Sequence, residues 1–383
     1  SPTIASVNAS SGLITALAPG AATIRATVDG VVGTMTANVT LTNENQRFAY
    51  AWVDQATANF GAPYTPSTSW STNATGGTVT ATRTGTGVYD VVFGKMAKAG
   101  NRHFRENVFV TSYGVSGETC AVNTWNDVGI DLRAQVTCFA IGSGAPTNSQ
   151  FNILVIGSGA LPTANAFFYH WSGTGNAQAS SPFSYSSQVL SQFGTRNSIG
   201  RYSVEMGLIN PGTTVAFVSP MVSQSLSSST SCHAENWVNA AATVNVYCTL
   251  ANAPVLVNAI FTVLQVTGGR AGTRWGFAFN DVAANPIGAG YLPSPSNQRQ
   301  SNGGQITITR TGTGDYEVRF SNLARTLPSQ RETFMVGAWG AAAQTCQVMD
   351  WLEAGGHVTA YIRCRNLATG AQENASFAIL MIE

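Results

Sequence analysis

Charge is what this chain has least of. Charged side chains make up 10% of its 383 residues, against about 25% in an average soluble domain. Gly, Ser, Thr, Asn and Ala take their place, not greasy segments. The formal net charge of +1 gives no field to steer nucleic acid or anionic lipid. Long hydrophobic runs are also missing: Ile153–Ile156 and Ala378–Ile382 are far too short to cross a bilayer, so no membrane span is expected. No leader pattern opens the chain, which begins in mid-pattern and reads as a mature or truncated form. No long stretch holds the i, i+3, i+4, i+7 apolar spacing of a helix.

What is there alternates. "TVTATRT", "NVFVTSY", "AQVTCF", "TVNVYC", "QITITRT" and "HVTAYIRC" are short period-two runs bounded by Gly, Asn, Ser and Pro, the pattern of strands in a sandwich or barrel. The chain also repeats itself. "TRTGTGVYDVVF" starts at Thr82 and "TRTGTGDYEVRF" at Thr309, 227 residues apart (309 − 82). Arg47–Ser67 matches Arg274–Ser294, and "GETCAVNTW" parallels "AQTCQVMDW". A third copy lies between them without the Thr-Gly slogan: "FFYHW" (Phe167–Trp171) resembles "FAYAW" (Phe48–Trp52), followed by "GRYSVEM", "TSCHAENW" and "IFTVLQV". Tyr89, Tyr202 and Tyr316 are spaced by 113 and 114 (202 − 89, 316 − 202), so the long interval is two periods. A period of about 110 residues suits a sandwich domain and is too long for a solenoid repeat. The expected architecture is all-β: three tandem Ig-like β-sandwich domains at 44–157, 158–267 and 268–383, after a partial Ig-like segment at 1–43. Each copy is expected to bury its own core, as beads on a string.

Each repeat carries two cysteines, at separations of 18, 16 and 18 (138 − 120, 248 − 232, 364 − 346). They flank two alternating strands with a polar turn, so folding the hairpin brings its ends together. The expected disulfides are Cys120–Cys138, Cys232–Cys248 and Cys346–Cys364, which imply an oxidising compartment and stabilise each repeat by roughly 2–3 kcal/mol. Zinc fits worse, because His103, His170, His233 and His357 hold no common position across the copies; no metal or cofactor is expected. Trp125, Trp237 and Trp351 each follow the first cysteine by five residues. That odd offset places them on the strand face opposite the cysteines, where core packing is the expected role and a sugar-stacking platform the alternative.

Thr3–Leu41 contains "IASVN" and "GLITALAPGAATIRATVDG", with Ala18-Pro19-Gly20 at the turn before an alternating strand. It resembles the second half of a bacterial group 2 immunoglobulin-like domain. The resemblance implies a secreted or surface protein, adhesins among them. Ile4, Val7, Leu13, Leu17, Ile24, Val28, Met35 and Val39 would normally face a second sheet, and alone they leave an apolar face and an open edge. Packing on the first repeat, a proteolytic remnant, and completion of residues 1–41 by another copy through strand exchange are the three outcomes. The repeat itself resembles tandem repeats of secreted bacterial proteins, with Y-x-P-S (Tyr64–Ser67, Tyr291–Ser294), R-T-G-T-G-x-Y and C…W…C. The middle copy departs from it with "FSYSS", and the likeness brings no activity with it.

Chemistry is hard to place. The G-T-G of "RTGTGVYD" is followed by a β pattern and by no G-K-[ST], whereas a phosphate loop must feed a helix. Gly85 and Gly87 are instead expected at positive φ in a tight hairpin. G-x-S-x-G and H-E-x-x-H are absent. "HFRE" (His103–Glu106) occurs once. Asp90, Asp315 and Glu317 flank the hairpin and are expected to face water. Asn123–Asp131 offers oxygens for calcium, but the matching stretch of the middle copy has no acid. No enzyme is expected. Trp70, in the polar "STSWSTNATGG", is expected to be exposed, and with Tyr64, Tyr291 and Trp339 forms the candidate set of ligand-contact aromatics. The expected role is that of an extracellular or cell-surface structural or adhesive protein, a stalk or fibre subunit; the alternative is a carbohydrate-binding array, with glycans as partners.

Overall fold

The structure, a computed structural model, describes residues 5–16, 20–39, 47–97, 106–158, 160, 166–171, 173, 175–179, 183–187, 192–205, 215–221, 230–238, 243–269, 272–327 and 331–383. Ile4, Leu17 and His103 lie outside the described residues. The chain is all-β among the described residues. Residues 1–43 belong to one compact unit, and 44–97 with 103–383 form the other.

The first unit holds two separate hairpins. Ala5–Val7 pairs with Ile14–Ala16, and Gly20–Val28 pairs with Val31–Val39. The longer hairpin turns on Asp29-Gly30, both at positive φ (49° and 79°), the two-residue turn whose twist matches the strands. Val31 and Met35 of this hairpin are exposed, as is Val7 of the other, whereas Ala22, on the same face as Met35, is buried.

In the second unit each repeat splits its strands between two sheets. In repeat 1, Phe48–Val53, Ser71–Asn73, Glu106–Tyr113 and Gln150–Gly157 lie in one sheet, and Pro63–Tyr64, Val79–Gly85, Val88–Phe93, Glu118–Val128 and Asp131–Ala140 in another. Repeats 2 and 3 divide in the same way. The first half of repeat 1 then continues into the second half of repeat 3, that of repeat 2 into repeat 1, and that of repeat 3 into repeat 2, giving two nine-stranded sheets and one ten-stranded sheet. The seams are parallel pairings of Tyr113 with Val348, Met221 with Val122, and Trp339 with Ala234. In each, one partner stands two residues after a first cysteine, so the seams are equivalent and the three repeats close on themselves.

This corrects the expectation of beads on a string. Each repeat does bury a core between its two half-sheets, but a fourth core is common to all three. Phe48, Tyr50, Phe109 and Leu154 of repeat 1 meet Phe168 and Leu264 of repeat 2 and Phe277, Met335 and Leu380 of repeat 3 there. The closing strand of each repeat shows why. In Phe151–Ile156, Phe151, Ile153 and Val155 face the repeat's own core, while Leu154 and Ile156 face the shared one. A strand buried on both faces is mostly apolar; the buried polar member of this one, Asn152, donates to Phe334 O at 3.0 Å.

Register also corrects the alignment of the middle copy by one residue. Tyr50, Phe168 and Phe277 pair with the equivalent Leu154, Leu264 and Leu380, so His170, not Trp171, matches Trp52. The slip turns Trp171 into the core of repeat 2, because neighbouring residues on a strand face opposite sides. The outermost strands of the three sheets are only two or three residues long, for example Pro63–Tyr64, Tyr185–Ser186 and Ser71–Asn73. Short edges resist strand addition.

Candidate functional site

The "TRTGTGVY" hairpin is a latch. Gly87, Gly200 and Gly314 stand at φ of 69°, 66° and 72°, and a Cβ there would lie 2.6, 2.5 and 2.5 Å from the carbonyl oxygens of Cys138, Cys248 and Cys364. The same glycine carbonyls accept from those cysteine N–H groups at 2.8 Å in all three repeats. Two residues on, Tyr89, Tyr202 and Tyr316 pack against Phe151, Phe261 and Phe377. Their hydroxyls accept from the N–H groups of Ser149, Ala259 and Ala375 at 3.1, 2.9 and 3.0 Å. The latch therefore fixes where the closing strand begins. Gly85 takes no positive φ; a β-bulge at Arg83–Gly85 leaves only Gly87 in the left-handed conformation. Arg83, Arg196 and Arg310 occupy one position and bind the preceding loop at Ala58, Asn176 and Asn285.

The three disulfides join Cys120–Cys138, Cys232–Cys248 and Cys346–Cys364, directly cross-strand partners of one hairpin, and no cysteine is free. The tryptophans do not face away from them. Cys120 and Trp125 share one core, as do Cys346 and Trp351. A bulge after Val122, Ala234 and Val348 adds a residue and resets the alternation. The ring of Trp351 extends into a seam, with Trp52, Trp70 and Tyr113 of repeat 1 at 5.9, 5.1 and 5.3 Å between centroids. Trp125 meets His170 and Phe183 of repeat 2 in the same way.

The four candidate aromatics are half-buried: Trp70 and Tyr291 pack against the core of repeat 3, Tyr64 against that of repeat 1, and Trp339 against the shared core and that of repeat 2. Trp70 is edge-on to Trp351, and the Arg325 guanidinium sits 4.2 Å from its ring centroid, so the expected free ring is partly covered. Tyr64 and Tyr291 lie at the edges of different sheets. Their hydroxyls accept from Gln55 N–H at 3.1 Å and Val282 N–H at 3.4 Å, and Tyr291 donates to Asn280 at 2.7 Å. Burial pushes both phenols up. Trp339 packs on Phe279 at 4.9 Å.

Carboxylates are mostly paired. Asp90 is buried against Arg133 and Gln135 instead of facing water, since it stands beside them on the adjoining strand. Asp315 takes both arms of Arg363 at 2.7 and 2.8 Å. Arg274 gathers Glu332, Glu353 and Glu383 at 2.5, 2.9 and 3.1 Å. The calcium candidates do not converge: Asn123 bonds Gln135 and Thr137, and Asp131 accepts from Lys95 N–H. No group of three His, Cys, Asp or Glu suited to a metal occurs among the described residues.

The polar groups at the seams were not among the expected site residues. His233 and Gln347 each follow a first cysteine and reach across to the neighbouring repeat. Nε2 of His233 donates to Gly340 O at 2.9 Å, and Gln347 donates to Gly114 O and to Ser116 O, the latter at 2.7 Å. Burial pushes the His233 imidazole down to about 4, and likewise that of His170. The signal was a polar residue flanked by core positions, twice at one offset. Beside these clasps the repeats meet at a pocket of about 30 Å³ lined by Thr119, Ser231, His233, Gln344 and Thr345 with the adjoining strands.

No family model, curated protein or solved structure matches this chain.

Proposed function

We propose that this is an extracellular structural or adhesive protein whose three Ig-like repeats act as one rigid module of a stalk or fibre subunit. The observation that carries the reading is the continuity of each large sheet across a seam, with a disulfide closing one hairpin at every seam. Backbone pairing across the seams resists separation of the repeats, and the disulfides suit an oxidising compartment. The resemblance of residues 3–41 to a bacterial Ig-like half-domain points to a cell surface. Their nine-residue strands offer longer edges than the two- to four-residue edge strands of the second unit among the described residues, so strand exchange with another copy belongs to this reading. A carbohydrate-binding array ranks second, because Trp70, Tyr64, Tyr291 and Trp339 are half-buried and pack against the cores.

The test is localisation and assembly of the full chain in its native host. The expected result is protein outside the cell with all six cysteines oxidised, appearing as fibres or a surface layer by electron microscopy, and reduced cell attachment when it is deleted. Retention in the cytoplasm with free thiols sinks the proposal. Glycan-array binding lost on Trp70→Ala would move the second reading ahead.

A further inference from the structure

The pocket between the repeats is built from equivalent positions. Thr119, Ser231 and Thr345 each precede the first cysteine of their repeat, and Cys120, Cys232 and Cys346 point into the three separate repeat cores. Adjacent residues on a strand face opposite sides, so the three side chains turn away from those cores and toward one another at the pocket. Their hydroxyls have no hydrogen-bond partner in the protein among the described residues.

His233 supplies a second, independent observation. It is 2% exposed, lines the same pocket, and its Nδ1 is buried without a partner. Gly340 O can only accept, so Nε2 carries the proton and Nδ1 of the neutral ring is a bare acceptor. No acidic, lysine or arginine side chain lines the pocket among the described residues. A charged guest would lack a counter-charge there, and a desolvated, unpaired ion is strongly disfavoured. An anion would in addition face the Nδ1 lone pair. A neutral guest that both donates and accepts satisfies the hydroxyls and the imidazole together. The volume of about 30 Å³ admits one or two water molecules.

We infer that this pocket is a water site shared by all three repeats, in which one or two ordered waters bridge the hydroxyls of Thr119, Ser231 and Thr345 and donate to Nδ1 of His233. The water then joins one strand from each repeat, adding to the seams a polar link that involves every repeat at once.

A high-resolution crystal structure of the full chain tests this. The expected result is one or two peaks within about 2.6–3.2 Å of these polar atoms, with no anomalous signal at the site in crystals grown in bromide or in rubidium. An anomalous peak overturns the neutral guest, and a pocket without density overturns the site. The triple variant Thr119→Val, Ser231→Ala, Thr345→Val is expected to lose the peaks and melt several degrees lower. Unchanged or higher melting means that the hydroxyls hold nothing, which also overturns the inference.

Discussion

The middle repeat keeps Arg196, Gly200 and Tyr202 where its neighbours have Arg83, Gly87 and Tyr89 or Arg310, Gly314 and Tyr316. It lacks the Thr-Gly-Thr between them. It also carries Gln265 where the equivalent closing strands have Val155 and Met381, and His170 where they have Trp52 and Phe279. Both sets of residues build the same hairpin, latch, bulge and seam. What the frame requires is thus a left-handed glycine over a cysteine carbonyl and a phenol tied to the closing strand. The remainder of the motif is free to vary. The difference also gathers both strongly depressed imidazoles at the two seams of repeat 2, His170 against Trp125 and His233 against Gly340.

Acid is the largest lever on that difference. Burial holds the folded-state pKa of His170 and His233 near 4, below the ordinary 6.5. The unfolded chain therefore binds more protons between those values. Stability is full above pH 6.5 and falls as the pH drops toward 4, by on the order of 2–3 kcal/mol for each imidazole. Urea unfolding at pH 7 and pH 4.5 measures it. His170→Phe with His233→Gln, the residues that repeat 3 places there, is expected to flatten the profile; an unchanged slope refutes the assignment.

Next comes the latch glycine. Gly200→Ala forces a side chain into positive φ and within 2.5 Å of Cys248 O, a loss of about 3 kcal/mol or more. Gly314→Ala is expected to cost as much, since the geometry matches. A much milder effect in repeat 2 would show that its frame had relaxed. Gln265 works in the opposite direction. Its amide is fully buried, and neither Nε2 nor Oε1 has a partner. Gln265→Met, of similar length, is expected to gain about 2 kcal/mol in denaturant midpoint experiments. The smallest effect is Tyr202→Phe, about 1 kcal/mol from one lost acceptor for Ala259 N–H; Tyr89→Phe and Tyr316→Phe are expected to lose more, because their hydroxyls also donate to Ala56 O and Ala283 O at 2.8 and 2.7 Å.

Much of this was legible in the chain. Period-two runs located the strands, and the spacing of Cys232 and Cys248 gave the hairpin disulfide. The persistence of Gly200 and Tyr202 without the slogan marked the latch. These features depend on neighbours a few residues away. The face of Trp125 and Trp237 is not legible in the chain, because a bulge leaves no mark in an alternating run. The register of "FFYHW" is ambiguous by one residue, because its aromatics fit either alignment. Trp70 was expected in the open because its polar neighbours in sequence say nothing of Trp351 and Arg325, some 250 or more residues away.

The sequence by itself determined an all-β chain, its threefold repetition, its disulfide partners and the glycine–tyrosine latch, because turn chemistry and strand alternation act locally. Only the tertiary structure decided that Tyr113 pairs with Val348, Met221 with Val122 and Trp339 with Ala234, and hence that the repeats share sheets, a common core and a polar pocket. A parallel pairing between strands of different repeats leaves no local signature. It is selected by the burial of second strand faces, which exist as a surface only once all three repeats have folded together.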